Sequence, residues 1–171
     1  MPPLGEHAFA IEPLAKYHER AAFACGVAAL DLYLKQRASQ DARNRIAAPF
    51  VLAGVDHRVV GYYTLSSFSI ALSDLPENTA RKLPKYPVVP ATLLGRLATD
   101  QNYRGRGLGE HLLMDALRRS FELSKEIASY AVVVDAKGGA AGFYQSYEFQ
   151  AFSQHPSRLF MPMKKIERLF E

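Results

Sequence analysis

The clearest periodicity in the chain lies between Leu108 and Lys125. Leu108, Leu112, Leu113, Ala116, Leu117 and Phe121 recur at helical spacing, with Arg118 and Arg119 off the stripe, and predict an amphipathic helix. Ala22–Leu34 and Lys35–Ile46 also carry apolar residues at helical spacing and predict two helices. Phe50–Val55 and Arg58–Leu72 are rich in Val, Tyr, Phe, Ile and Thr, which predicts two strands joined by a tight turn at Asp56-His57 that lacks the usual glycine. Phe9–Leu14, Thr92–Thr99, Ala131–Asp135, Phe149–Phe152 and Leu159–Lys164 predict further strands, with a short helix over Gly139–Ser146. Four of the ten prolines fall within Ser73–Pro90, which reads as a surface excursion holding one helical turn, because strong strands flank it. The order of elements predicts a mixed α/β domain spanning residues 1–171.

Composition narrows the chemistry only a little. At 171 residues, 49% hydrophobic and 22% charged, the sequence is that of an ordinary globular domain. No apolar run approaches the ~18–20 residues of a membrane span. The opening MPPLGEHAFAIEPL has no basic start followed by an apolar block, so a cytoplasmic location is expected. The lone Cys25 excludes an internal disulfide and a thiolate zinc cluster, and it reads as a packed thiol. His7, His18, His57, His111 and His155 are scattered, and no metal is expected. Twenty-one Lys and Arg against seventeen Asp and Glu give a formal charge of +4, which suits an anionic ligand without requiring one.

The segment Arg104-Gly105-Arg106-Gly107-Leu108-Gly109 joins a predicted strand to the predicted helix. Glycines there permit positive φ, and the unpaired N–H groups and dipole of a helix start favour phosphate oxygens. Arg104 and Arg106 add full charges. The bland alternative is a tight turn with no ligand. The phosphate loop GxxxxGK[ST] is absent, and the glycines are spaced GxGxG rather than GxGxxG.

The R-x-x-G-x-G pattern of Arg104–Gly109 resembles the pyrophosphate loop of the GNAT superfamily of acetyl-CoA-dependent N-acetyltransferases. Ala140-Ala141-Gly142-Phe143-Tyr144-Gln145-Ser146-Tyr147-Glu148-Phe149 resembles that superfamily's A-x-x-F-Y-x-x-x-G-F segment. Phe23–Gly26 with Leu30–Leu34, then Gly61–Ser67, Leu94–Asp100 and Val134–Lys137, extend the likeness to the acetyltransferase toxins of bacterial toxin–antitoxin pairs, over about Phe9 to Lys165. The implied fold is a mixed, mostly antiparallel sheet of six to seven strands, splayed between strands 4 and 5 and flanked by about four helices. Leu97, Ala98 and Thr99 are implied partners of the pantetheine arm of acetyl-CoA. Arg104, Gly105, Arg106, Gly107, Leu108, Gly109 and Phe143 are implied around the rest of the coenzyme, although Phe143 also reads as a core residue. Tyr144 is implied as general acid to the departing thiolate. A phenol near pKa 10 facing a thiol near 8.5 makes full proton transfer uphill by about 2 kcal/mol in water, so a positioned hydrogen bond is its effective contribution. The likeness fails at Glu148, where the family has glycine; if that turn needs positive φ, glutamate costs about 1 kcal/mol or more.

The toxins of this family acetylate the α-amine of aminoacyl-tRNA, which implies a positive rim around the acceptor pocket. Arg96, Lys137, Tyr63 and Ser66 are the candidates for substrate contact, with Tyr62 and Ser67 beside them; the hairpin residues read equally well as core packing. Arg43, Arg45, Arg81, Lys82 and Lys85 are further candidates for the rim, or solvated surface charges. No general base stands out, because Glu148, Asp100 and Asp135 read as capping or solvated carboxylates. The implied partners are a ribbon–helix–helix antitoxin, operator DNA reached only through the antitoxin complex, and a second copy of the chain. Acetylation of a small amine or protein amine, and a non-catalytic coenzyme- or partner-binding role, are the alternatives.

Overall fold

The structure, a computed structural model, describes residues 9–136 and 139–171. Lys137, an expected acceptor-side residue, lies outside the described residues. The chain forms β1 (Ala10–Pro13), α1 (Ala28–Gln36), α2 (Ala38–Arg43), β2 (Ala48–Ala53), β3 (Val59–Ala71), α3 (Glu77–Ala80), β4 (Val88–Thr99), α4 (Leu108–Ser124), β5 (Ala131–Asp135), α5 (Ala141–Gln145), β6 (Gln150–Ala151), β7 (Arg158–Pro162) and α6 (Met163–Leu169). The seven strands lie in the order β1-β2-β3-β4-β5-β7-β6. β4 and β5 run parallel, while β1 with β2, β2 with β3, and β7 with both β5 and β6 are antiparallel. The β4–β5 register runs from Thr92↔Val132 to Leu94↔Val134, and β4 continues five residues further.

The chain divides into two compact units. Of the described residues, one comprises 9–66 and 96–116, the other 67–95, 117–136 and 139–171. The first has a core of Phe23, Tyr33, Leu34, Val51, Val59 and Tyr62, all at least nine-tenths buried. Tyr62 donates its hydroxyl to the Leu30 carbonyl at 2.7 Å, so a fully buried phenol is satisfied by the helix above it. The second has a core of Ile70, Leu75, Val89, Ala131, Val133 and Phe160. β5 is buried from Ala131 to Val134, as a continuous apolar run predicts for a central parallel strand.

Four departures from the sequence expectations have local causes. Ala22–Val27 is not helical: Asp31 accepts from the Cys25 N–H at 2.9 Å, Asp100 accepts from the Ala24 N–H at 3.2 Å, and Gly26 sits at φ 94°. β4 begins at Val88 and so includes Pro90, which lacks only a donor. Met163 and Lys164 start a helix rather than ending a strand. Pro162, at φ −59° and ψ 145°, stops the ladder, and Met163 and Ile166 then bury one face. Among the described residues there are six α-helices rather than about four, the extra ones short. The β2–β3 turn does form, closed by the Gly54 N–H donating to Arg58 at 3.0 Å, and His57 takes the left-handed conformation at φ 58°.

Candidate active site

The glycine turn is built from both sides. Asp100, fully buried at the end of β4, accepts from the N–H of Asn102 at 2.9 Å and from that of Ala24 at 3.2 Å. Gln101 returns a backbone hydrogen bond to the Ala24 carbonyl at 2.8 Å. Arg104 donates to the Cys25 carbonyl at 2.8 Å. The turn is thereby tied to residues 24–25 before it reaches the glycines. The Arg106 guanidinium lies 5.2 Å from the Tyr103 ring centroid, and Arg58 lies 5.7 Å from the same ring.

Gly105 adopts φ 79° and Gly107 φ 73°, and a Cβ at either would meet nothing within 4 Å. Torsion, not space, requires glycine at both. The Gly107 carbonyl accepts from the His111 N–H at 3.0 Å, which makes Gly107 the residue before the first turn of α4. The N–H groups of that first turn have no acceptor within the helix, so they and the dipole present positive charge where the turn ends. Leu108 is buried, and Leu112, Leu113, Ala116 and Leu117 are fully so, which anchors the helix behind its N-terminus. Left-handed glycines and a helix start, with Arg104 bracing the turn and Arg106 within it, form a cradle suited to a diphosphate.

Upstream, Ala98 is buried, and Leu97 and Thr99 are half-buried on the part of β4 beyond its register with β5. Arg96 leaves that strand and places its guanidinium 3.5 Å from the Tyr33 ring centroid. Burial pushes the Tyr33 phenol up to about 12, aided by its hydrogen bond to Asp41 and opposed by the Arg96 charge. Arg96 and Tyr33 line a cavity of about 390 Å³ with Leu32, Gln36 and Arg37.

Tyr63 is fully buried. It stacks on Phe50 at 5.2 Å and donates its hydroxyl to Asp115 on α4 at 2.5 Å. Tyr62 and Tyr63 are both fully buried, Ser66 is half-buried and Ser67 exposed.

In the other unit, Tyr144 is buried on α5 between Phe143, at 5.2 Å, and Phe149, at 5.5 Å. Burial alone pushes its phenol up to about 12. It is a neutral O–H donor at any physiological pH. Phe143 is half-buried and also packs on Tyr147 at 5.3 Å. Glu148 takes φ 72°, so this turn does need the left-handed conformation; the Glu148 carbonyl accepts from the Lys165 ammonium at 3.1 Å.

These features agree with a family match. The family described as "Acetyltransferase (GNAT) domain" matches residues 47–151, which takes in the whole of β4, the glycine turn, α4 and α5.

The chain belongs to the GNAT acetyltransferases.

Within that family the chain is 38% identical to the "tRNA-acetylating toxin" of Mycobacterium tuberculosis, over 86% of this chain and 87% of that one. It is 32% identical to the "Probable toxin TacT" of Sinorhizobium fredii, over 93% of each. Among solved structures, a tyrosine-to-phenylalanine mutant of the toxin KacT superposes with a TM-score of 0.91 at 32% identity, covering 95% of this chain and 99% of that one. AtaT complexed with acetyl-methionyl-tRNAfMet superposes at 0.88 and 30% identity, with the same coverage. AtaTR bound with AcCoA superposes at 0.85 and 30% identity, covering 96% and 99%. The KacTA–DNA complex does so at 0.80 and 30% identity, covering 95% and 98%.

Sequence reasoning left two residues of this acetyltransferase without a role. Tyr33, sixty-three positions before Arg96, supplies the ring under its guanidinium. Asp115 lies on α4 beside the apolar stripe, and its pairing with Tyr63 joins that helix to β3. A polar residue flanking a stripe, opposite a tyrosine-rich strand, was the available signal. Of the carboxylates considered as bases, Asp100 accepts backbone N–H groups and Asp135 accepts from Arg158 at 3.0 Å, while the Glu148 carboxylate is exposed with the Lys165 ammonium 3.9 Å away. Among the described residues no His, Cys, Asp and Glu cluster could hold a metal, and no helix is long and apolar enough to cross a membrane.

Proposed function

We propose that this protein is an acetyl-CoA-dependent toxin that N-acetylates the α-amino group of aminoacyl-tRNA, blocks translation, and is neutralised by a cognate antitoxin. One observation carries this reading. The left-handed Gly105 and Gly107 cradle at the start of α4 occurs in a chain 38% identical to a tRNA-acetylating toxin.

The residues divide the work as follows. Backbone N–H groups of Gly105–Gly109, with Arg106, hold the diphosphate of acetyl-CoA, and Arg104 braces the turn through Cys25. Backbone groups of Leu97, Ala98 and Thr99 pair with the pantetheine arm, and the Leu97 N–H polarises the thioester carbonyl. Phe143 packs against the coenzyme. The amine nitrogen attacks the carbonyl carbon, the C–S bond breaks, and the sulfur leaves as a thiolate while the nitrogen loses a proton. Tyr144 donates its O–H to that sulfur. With its pKa near 12, complete transfer to a thiolate is uphill by about 5 kcal/mol, so the phenol stabilises charge chiefly as a hydrogen-bond donor and the amine's proton finally reaches the thiolate. The α-amine of an aminoacyl ester is less basic than a lysine, so a water or backbone carbonyl suffices as acceptor.

Arg96, held over Tyr33, and Ser66 face the acceptor. The antitoxin is a ribbon–helix–helix protein that brings the complex to operator DNA, and the toxin is a homodimer of acetyltransferase domains spanning residues 1–171. It acts in the cytoplasm, where charged tRNA is found. The structures of AtaT with acetyl-methionyl-tRNAfMet and of KacTA with DNA support the tRNA and antitoxin parts of this reading.

The test is radiolabelled acetyl transfer to charged tRNA, followed by nuclease digestion and mass analysis of the aminoacyl-adenosine. Label on the α-nitrogen of charged tRNA is expected, and none on deacylated tRNA. Equal labelling of both, or labelling of neither, overturns the proposal.

A further inference from the structure

The segment between β3 and β4 folds into a fixed cleft. The Leu72 N–H donates to the Pro87 carbonyl at 3.1 Å and closes the excursion at its base. The Ser153 N–H donates to the Asp74 carbonyl at 3.0 Å, and Leu75 is buried in the core of its unit, with Leu72, Ala80 and Leu83 packed against that core. Pro84 and Pro87 restrict the chain on either side of Tyr86. The result is an open concavity of about 670 Å³, lined by Leu72, Glu77, Ala80, Arg81, Lys85 and Tyr86. That volume lies within the range of small-molecule sites.

Its chemistry is specific. Tyr86 is 64% exposed and has no ring partner among the described residues. Arg81, Lys82 and Lys85 are exposed, and among the described residues none of them enters an ion pair; Glu77 is the only carboxylate on the lining. A solvent-facing aromatic flanked by unpaired cations, on an apolar floor held in place before any ligand arrives, is the arrangement that binds single-stranded nucleic acid. The ring stacks on a base, and the cations contact the phosphates on either side.

We propose that the cleft at Arg81, Lys85 and Tyr86 is an RNA-binding subsite that takes one unpaired nucleotide of the tRNA substrate, its base on Tyr86 and its flanking phosphates on Arg81 and Lys85, with Lys82 adding to the field. The assignment rests on the tRNA reading above and adds a second contact to the substrate. Stacking on tyrosine accepts any base, so the subsite supplies affinity and register rather than base identity.

The experiment measures binding of 5′-fluorescein-labelled tRNA by anisotropy over a range of salt concentrations, together with acetyl-CoA affinity by calorimetry. Tyr86→Ala is expected to weaken tRNA binding by roughly tenfold, and Tyr86→Phe to retain it. Arg81→Ala with Lys85→Ala is expected to make the slope of log K against log salt shallower by about 1.4, at ~0.7 per single-strand phosphate. Acetyl-CoA affinity stays at the parent value in all variants, which checks that they are folded. Unchanged tRNA affinity and slope overturn the proposal. A parent protein that binds tRNA but acetylates none refutes the toxin reading and leaves the cleft to be judged by the binding series alone. A parent that binds no tRNA refutes both.

Discussion

Gly107→Ala isolates what the glycine turn contributes. At φ 73°, alanine is strained, and because its Cβ meets nothing within 4 Å the whole cost is torsional. The left-handed conformation costs an L-residue about 1–2 kcal/mol. In the free variant the turn relieves that strain by moving to negative φ, which redirects the N–H groups at the start of α4. Binding a diphosphate then requires the left-handed path to be restored. A cost of about 1–2 kcal/mol weakens acetyl-CoA affinity by about 5–30-fold. Asparagine tolerates positive φ better than alanine does, so Gly107→Asn recovers part of the loss without restoring glycine. Isothermal titration of acetyl-CoA into parent, Gly107→Ala and Gly107→Asn measures all three, and a thermal melt of each checks the fold. Parent-like affinity in Gly107→Ala with an unchanged melting temperature refutes the claim that the left-handed turn holds the coenzyme.

Three other outcomes are expected. Tyr144→Phe lowers kcat by roughly 10²–10⁴-fold with acetyl-CoA affinity unchanged, and in the parent the kcat–pH profile carries no loss from this phenol until pH approaches 12, because burial raises its pKa; a fall centred near pH 10 refutes that assignment. Glu148→Gly relieves strain at φ 72°, and after the entropy that glycine adds to the unfolded chain it raises stability by about 0.5–1 kcal/mol, seen as ~1–4 °C in a thermal melt; Glu148→Ala gives no such gain. Tyr63→Phe leaves Asp115 without its phenol donor and costs about 1.5–3 kcal/mol in urea unfolding, since the bond joins two secondary-structure elements and its acceptor is a carboxylate.

How much of this was legible depended on how far apart the interacting residues lie. The stripe Leu108–Phe121 predicted α4 almost to the residue, because burial of one helical face leaves a period in the sequence itself. The glycine turn was legible because its residues are contiguous. The conflict at Glu148 could be named from the sequence, and the φ of 72° resolves it in favour of strain. Ala22–Val27 misled because alanine favours helix, whereas the segment's conformation is set by Asp100, seventy-six positions after Ala24, and by Gly26. The first two residues of the closing helix were read as strand because Leu159–Lys164 is a short apolar run whose period is ambiguous until Pro162 is known to end the ladder. The Arg96–Tyr33 stack could not be read at all: neither residue carries a local signal of the other. In the β2–β3 hairpin, sequence periodicity left packing and substrate contact open for Tyr63, and it held no signal of the hydrogen bond to Asp115, fifty-two positions on.

The lone cysteine has a practical consequence. Cys25 is buried, and loss of solvent, reinforced by the neighbouring Asp31, raises its thiol pKa and keeps it in the unreactive protonated form. Thiol-directed reagents therefore find the folded parent silent. A single cysteine introduced at an exposed position such as Gln101 becomes the one addressable handle for a fluorophore or spin label, with no background to subtract and no native residue to remove first.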